Sequence, residues 1–153
     1  MASKQVPDLP VANPLDGSEL VHVVQDGSSR QTTVAAIASG GTAAYHYGSF
    51  AVSAIGASEI LMDHIVATAH TLQDDFAGCV ASVGSAPVAD WVADVQLEGA
   101  SIGSLTVHAD GTHTFLTTGG AVAVPAGSVV SVIAPAGADA SIARLRFTFK
   151  GAI

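Results

Sequence analysis

Between Arg144 and Lys150 the chain alternates strictly: Leu145, Phe147 and Phe149 are apolar, while Arg144, Arg146, Thr148 and Lys150 are polar. A period of two places the two sets on opposite faces of a β-strand. The apolar face is expected in the core, and the cationic face is expected to meet solvent or the acidic residues of a neighbouring subunit. With Ile142 at its start, this is the last of a series. Further apolar runs bounded by Gly, Pro, Asp or Ser predict strands at 48–54, 59–67, 78–83, 90–97, 102–108, 113–117 and 128–134. Trp91, Ala93, Val95 and Leu97 alternate with Val92, Asp94 and Gln96, so Trp91 opens a core face. Short strands spaced in this way predict an all-β fold, an antiparallel β-sandwich or jelly roll over 45–153.

Turn chemistry sets the expected connections. Asp26-Gly27 sits between an apolar run and a Thr-rich run, the pattern of a two-residue type I′ hairpin in which both turn residues take positive φ. Read the same way, Asp110-Gly111 would place Ala109 opposite Thr112 and His108 opposite His113. Glu98-Gly99-Ala100-Ser101 is expected to return the chain between two further strands. Val34 to Ala38 has room for a short helical turn, and Ser39-Gly40-Gly41-Thr42-Ala43-Ala44 reads as a flexible joint. The division expected is therefore an extended N-terminal hairpin segment with its linker over 1–44, followed by the β-sandwich over 45–153.

The chain carries thirteen acidic residues against five basic ones, a net charge of −8. Neutralising nucleic-acid phosphates needs clustered Lys and Arg, so a nucleic-acid partner is not expected. Nor is membrane insertion, because no run approaches the roughly 20 apolar residues of a spanning helix. The opening residues lack an apolar run of signal-peptide length, and no targeting segment is expected. So few charges on an apolar composition point to surface hidden between subunits.

Candidate chemistry is sparse. There is no Gly-rich phosphate loop with Lys, no nucleophile elbow and no zinc spacing of cysteines, so no catalysis and no cofactor are expected. Cys79, the only cysteine, reads as a buried, inert thiol. Asp74-Asp75 read as a solvated turn. Asp90 and Asp94 share a strand face but lie roughly 13 Å apart, too far to share a proton. Of six histidines, His108 and His113 form the candidate metal pair. Asp63, His64 and His70 are a weaker group, since Asp63 and His64 fall on opposite faces of a regular strand. Tyr45 and Tyr47, with Arg144 and Arg146, are the candidate ligand or subunit contacts. Phe76 is a further aromatic that could stack on a sugar. The loops 72–77, 84–89 and 119–123 offer short side chains with no sharp signature.

The N-terminal phrase Leu9-Pro10, Leu15-Asp16-Gly17, Glu19-Leu20-Val21-His22-Val23-Val24-Gln25-Asp26-Gly27 and Thr32-Thr33-Val34-Ala35-Ala36-Ile37 resembles the leader of tailed-bacteriophage tail-fibre and virion-surface proteins. His22 departs from the proline or small residue of that pattern. Downstream, 95–107, 125–135 and 138–151 resemble a compact β-domain that recurs in phage virion proteins. In those proteins the leader lies at the virion-proximal end, so the resemblance implies virion attachment through Leu9, Pro10, Leu20, Val21, Val23, Val24 and Gln25. It further implies a non-enzymatic short tail fibre or tail-tip protein on the virion surface, made in the host cytoplasm. Its expected partners are other phage virion proteins, further copies in a homotrimer, and a host-surface glycan. Two alternatives stand beside this reading: a capsid decoration or head-fibre protein, and a free carbohydrate-binding module.

Overall fold

The computed structural model describes residues 18–35, 43–137 and 139–153. The chain divides into two compact units, Met1–Thr42 and Ala43–Ile153.

In the first unit β1 (Leu20–Gln25) and β2 (Ser28–Thr33) form a two-stranded antiparallel sheet, with Gln25 opposite Ser28 and Leu20 opposite Thr33. Asp26 and Gly27 have φ of 51° and 73°. This is the type I′ geometry that the sequence demands, and its twist matches that of the flanking strands. Val34 and Ala35 then enter a helical turn, while 36–38 and the joint at 39–42 lie outside the described residues.

The second unit contains β3 (Ala44–Ile55), β4 (Ile60–Ile65), β5 (His70–Leu72), β6 (Val80–Ser82), β7 (Trp91–Leu97), β8 (Ala100–Val107), β9 (His113–Thr117), β10 (Val122–Val124), β11 (Val129–Ile133) and β12 (Asp139–Ala152). A 3-10 turn, Asp74–Phe76, follows β5. One sheet runs β10-β5-β12-β3 with β6 also against β12, and the other runs β4-β11-β7-β8-β9. Every pairing is antiparallel. The chain passes repeatedly from one sheet to the other, so the all-β architecture is sandwich-like.

One apolar core lies between the sheets. Leu145, Phe147 and Phe149 of β12 are buried, as are Trp91, Ala93 and Val95 of β7, while their alternating neighbours face outward. Phe149 reaches Phe115 of the opposite sheet at 5.7 Å between ring centroids. Burying each such side chain stabilises the fold by about 1.5–3 kcal/mol. A register shift interrupts β12, where Val52 and Ser53 of β3 oppose the single Arg144, whose φ is 56°. The positive φ at Arg144, within the irregular stretch 139–145 of β12, breaks the two-residue period, so Ile142 and Leu145, three residues apart, both point inward.

Four expectations need correction. The first two are β5 and β10, which lie within or beside segments read as loops and pair with each other in the middle and at the edge of their sheet. Third, Asp110-Gly111 does not form a two-residue turn. Only Gly111 has positive φ, the His108 N–H donates to the Thr112 carbonyl, and the Gly111 N–H donates to the His108 carbonyl. This is the three-residue loop with a G1 bulge, and it moves the register by one: His113 faces Val107, not His108. Asp110 holds the loop by accepting hydrogen bonds from the Thr112 N–H and hydroxyl. The fourth concerns Phe76, which is buried rather than exposed. The Asp74-Asp75 turn is tied to β9, with Asp75 N–H donating to Thr117 Oγ1 at 3.0 Å and Thr117 Oγ1 donating to Asp74 Oδ1 at 3.0 Å. Phe76 then turns inward against Phe115 and Phe149.

Candidate functional site

Two places in the domain gather chemistry-bearing side chains: a buried ring cluster at the start of β3, and the outer face of β3, β12 and β6. In the cluster, Tyr45 and Tyr47 stand two residues apart on β3 and therefore share a face. That face is the inner one. Tyr47 is 5% exposed and Tyr45 half-buried, so Tyr47 is not the surface contact expected of it. The reason is the company it keeps: it stacks on His64 of β4 at 4.7 Å between centroids and on Phe149 at 5.6 Å.

His70, at the start of β5, completes the cluster and is buried. Its Nδ1–H donates to the Thr68 carbonyl at 2.9 Å, which leaves Nε2 to accept the Tyr47 hydroxyl at 3.3 Å. The Tyr45 hydroxyl accepts from the Ala67 N–H and donates to His64 Nε2, both at 3.2 Å. Burial, with Cys79 and Tyr45 nearby, pushes the Tyr47 phenol well above its ordinary pKa. The phenol therefore stays protonated at neutral pH, which suits a donor that locks His70 in place. Tyr47→Phe leaves His70 Nε2 buried without its donor, and the expected cost is about 1–3 kcal/mol. Urea unfolding of the variant checks this; an unchanged midpoint would show that the bond contributes nothing.

On the outer face, Arg144, Arg146 and Lys150 of β12 are exposed. Phe50 lies opposite Arg146 across the β3 pairing and Ser82 lies opposite it across the β6 pairing. Phe50, Val52 and Val80 are exposed at 70%, 67% and 57%. Three shallow depressions converge on Arg146, bordered by Phe50, Val52, Val80 and Thr148 among others. The stem of Arg144 lies over Gly84. Among the described residues no carboxylate stands within ion-pair distance of these cations.

His108 and His113 do not converge on a shared point. The His108 ring meets Asp90 Oδ2 at 2.9 Å through Nδ1 and Thr114 Oγ1 at 3.0 Å through Nε2. His113 Nε2 accepts the Ala81 N–H at 3.2 Å, and its ring meets Phe115 edge-on. No group of three His, Cys, Asp or Glu side chains among the described residues is arranged to hold a metal ion. Cys79 is half-buried, and burial pushes its thiol pKa up against the opposing pull of Lys150. Hydrogen bonds from the Ser141 hydroxyl and N–H and from the Val88 N–H hold the Asp139 carboxyl below its ordinary range; the Thr112 hydroxyl and N–H do the same for Asp110.

In the hairpin, Leu20 and Val24 are exposed at 66% and 69%, while Val21 and Val23 are half-buried. Gln25 closes β1 opposite Ser28. Leu9 and Pro10 lie outside the described residues. Among the described residues no helix is long and apolar enough to cross a membrane.

No family model, curated protein or solved structure matches the chain.

Proposed function

We propose that this chain is a non-enzymatic structural protein of a tailed-bacteriophage particle, a short tail fibre or tail-tip protein whose leader docks on the virion and whose β-domain faces the host surface. The observation that carries this reading is the β1–β2 hairpin. An isolated two-stranded sheet is marginal in water, and this one exposes Leu20 and Val24 beside the leader phrase that suggested attachment. Such a hairpin is built to add its apolar side chains to another surface.

The domain supports the same reading by analogy of fold. We read the order β3-β12-β5-β10 opposite β4-β11-β7-β8 as the double Greek key of a jelly roll with β6 and β9 added. Jelly rolls serve viral capsids and lectins alike, so the fold suits a virion protein that engages a host glycan and does not select one. Its partners on this reading are other virion proteins and further copies of itself in a homotrimer.

Immunogold labelling of intact particles with an antibody raised against residues 45–153 tests the assignment. Gold at the tail tip is the expected result. Gold over the head replaces the fibre with a capsid decoration protein that uses the same leader. Unlabelled particles overturn the virion role and leave a free carbohydrate-binding module to be tested on a glycan array.

A further inference from the structure

The two outer faces of the 43–153 domain carry opposite charge. Every cation of the domain, Arg144, Arg146 and Lys150, projects outward from β12. On the far side, the outer face of β4-β11-β7-β8-β9 carries Asp63, Asp94 and, at the head of β7, Asp90. Asp63 lies opposite Ser131 and Asp94 opposite Ser104, while Asp90 meets His108 and the Ala109 N–H. Ser131 donates to Asp63, and Gln96 and Ser101 donate to Asp94. Each face also exposes apolar side chains: Phe50, Val52 and Val80 beside the cations, and Val92 and Leu116 beside the carboxylates, at 46% and 50% exposure.

We propose that copies of this chain associate head to tail, with the Arg144–Arg146–Lys150 face of one copy seated on the Asp63–Asp90–Asp94 face of the next. Charge complementarity names the occupant. An acidic chain that collects its domain's cations on one face, with no carboxylate of the described residues beside them, provides the matching acidic surface on its other face. Opposed charge sets the register and favours encounter, and the exposed Phe and Val side chains lose water when the faces meet. A contact between different faces closes into a ring when the rotation between copies allows, and otherwise runs on as a filament. The proposal deepens the oligomer part of the reading above, but it does not need a virion. Sedimentation therefore tests it separately from labelling.

Sedimentation velocity of the full chain in ~0.05 M sodium chloride is expected to show species larger than the 15.2 kDa monomer. They dissociate towards ~1 M salt, where the screening length falls to about 3 Å. Arg144→Glu with Arg146→Glu gives a chain acidic on both faces, and Asp63→Lys with Asp90→Lys gives one cationic on both. Circular dichroism establishes that each is folded. Each alone is expected to assemble at least ~10-fold more weakly, and an equimolar mixture restores assembly because the reversed faces are again complementary. A monomer at every salt concentration overturns the proposal, as does assembly that survives both reversals or a mixture that fails to assemble. A monomer that instead binds heparin, and loses it with Arg144→Glu and Arg146→Glu, replaces the second copy with a polyanionic carbohydrate.

Discussion

Phe149→Ala is expected to lower the unfolding free energy by about 3–5 kcal/mol, the range for deleting a buried aromatic ring without collapse of the site. Phe149 is fully buried on β12, and its ring lies within 6 Å of four others: Phe76 at 5.5 Å, Tyr47 at 5.6 Å, Phe115 at 5.7 Å and Phe147 at 5.9 Å. Those partners come from β3, the 3-10 turn, β9 and β12 itself, so the ring joins both sheets and the turn between β5 and β6. Four rigid neighbours cannot all move inward, and the cavity stays open. Against a typical domain stability of about 5–15 kcal/mol, the loss is a large fraction of the whole. Urea unfolding of the full chain, followed by tryptophan fluorescence from the buried Trp91, measures it. A loss below ~1.5 kcal/mol would mean that the aromatic cluster collapses around the gap and does not hold the sheets apart.

The strands that could be read from sequence are those whose alternation runs for several pleats. β7 and β12 are of this kind, because their side chains have one core face and one wet face. β5 and β10 have three residues each, His70-Thr71-Leu72 and Val122-Ala123-Val124, too few for a period to emerge. Their strand character comes from pairing with each other and, for β5, with Gly151 and Ala152 at the end of β12. Turn chemistry was legible where a residue pair admits one solution. Asp26-Gly27 does so in its hairpin; Asp110-Gly111 admits two, and Asp110 capping Thr112 selects the longer loop. Glu98 and Gly99 show the limit. Glu98 takes φ of 52° in a two-residue turn, a conformation its side chain disfavours. Val129, distant in sequence, compensates: its N–H donates to Glu98 Oε1 at 2.6 Å and its carbonyl accepts the Glu98 N–H at 2.9 Å.

The ring cluster was half legible for the same reason. Period two puts Tyr45 and Tyr47 on one face, but which face depends on His64 and His70, brought there from two other strands. Their place beside the joint suggested an exposed or intersubunit surface, whereas the hydrogen bonds to His64, His70 and Ala67 satisfy the hydroxyls well enough to bring the rings inside. The outer cationic face, in contrast, follows directly from the β12 alternation. What the alternation lacks is Phe50 and Val52, which flank the cations only because β3 pairs with β12.

Gly151→Ala carries the second large effect, and it tests why β12 ends as it does. Gly151 is buried, lies opposite Tyr45 on one side and Leu72 on the other, and has an ordinary strand conformation, so backbone freedom does not explain it. Close approach does. A Cβ there would stand 2.0 Å from His70 Cδ2 and 2.6 Å from Cγ. The ring cannot swing aside cheaply, because Thr68 holds Nδ1 and Tyr47 holds Nε2. The methyl group must either displace the imidazole and break both bonds or push β12 away from β5. Overpacking typically costs about 1–3 kcal/mol and each lost bond about 0.5–1.5 kcal/mol, so the expected loss with both bonds broken is about 2–6 kcal/mol. His70→Ala removes the obstacle together with its hydrogen bonds. In that background Gly151→Ala is expected to cost at least ~1 kcal/mol less than in the parent chain, because residues in contact couple on that scale. Strictly additive losses in the double-mutant cycle would assign the glycine to some constraint other than the histidine ring lying across it.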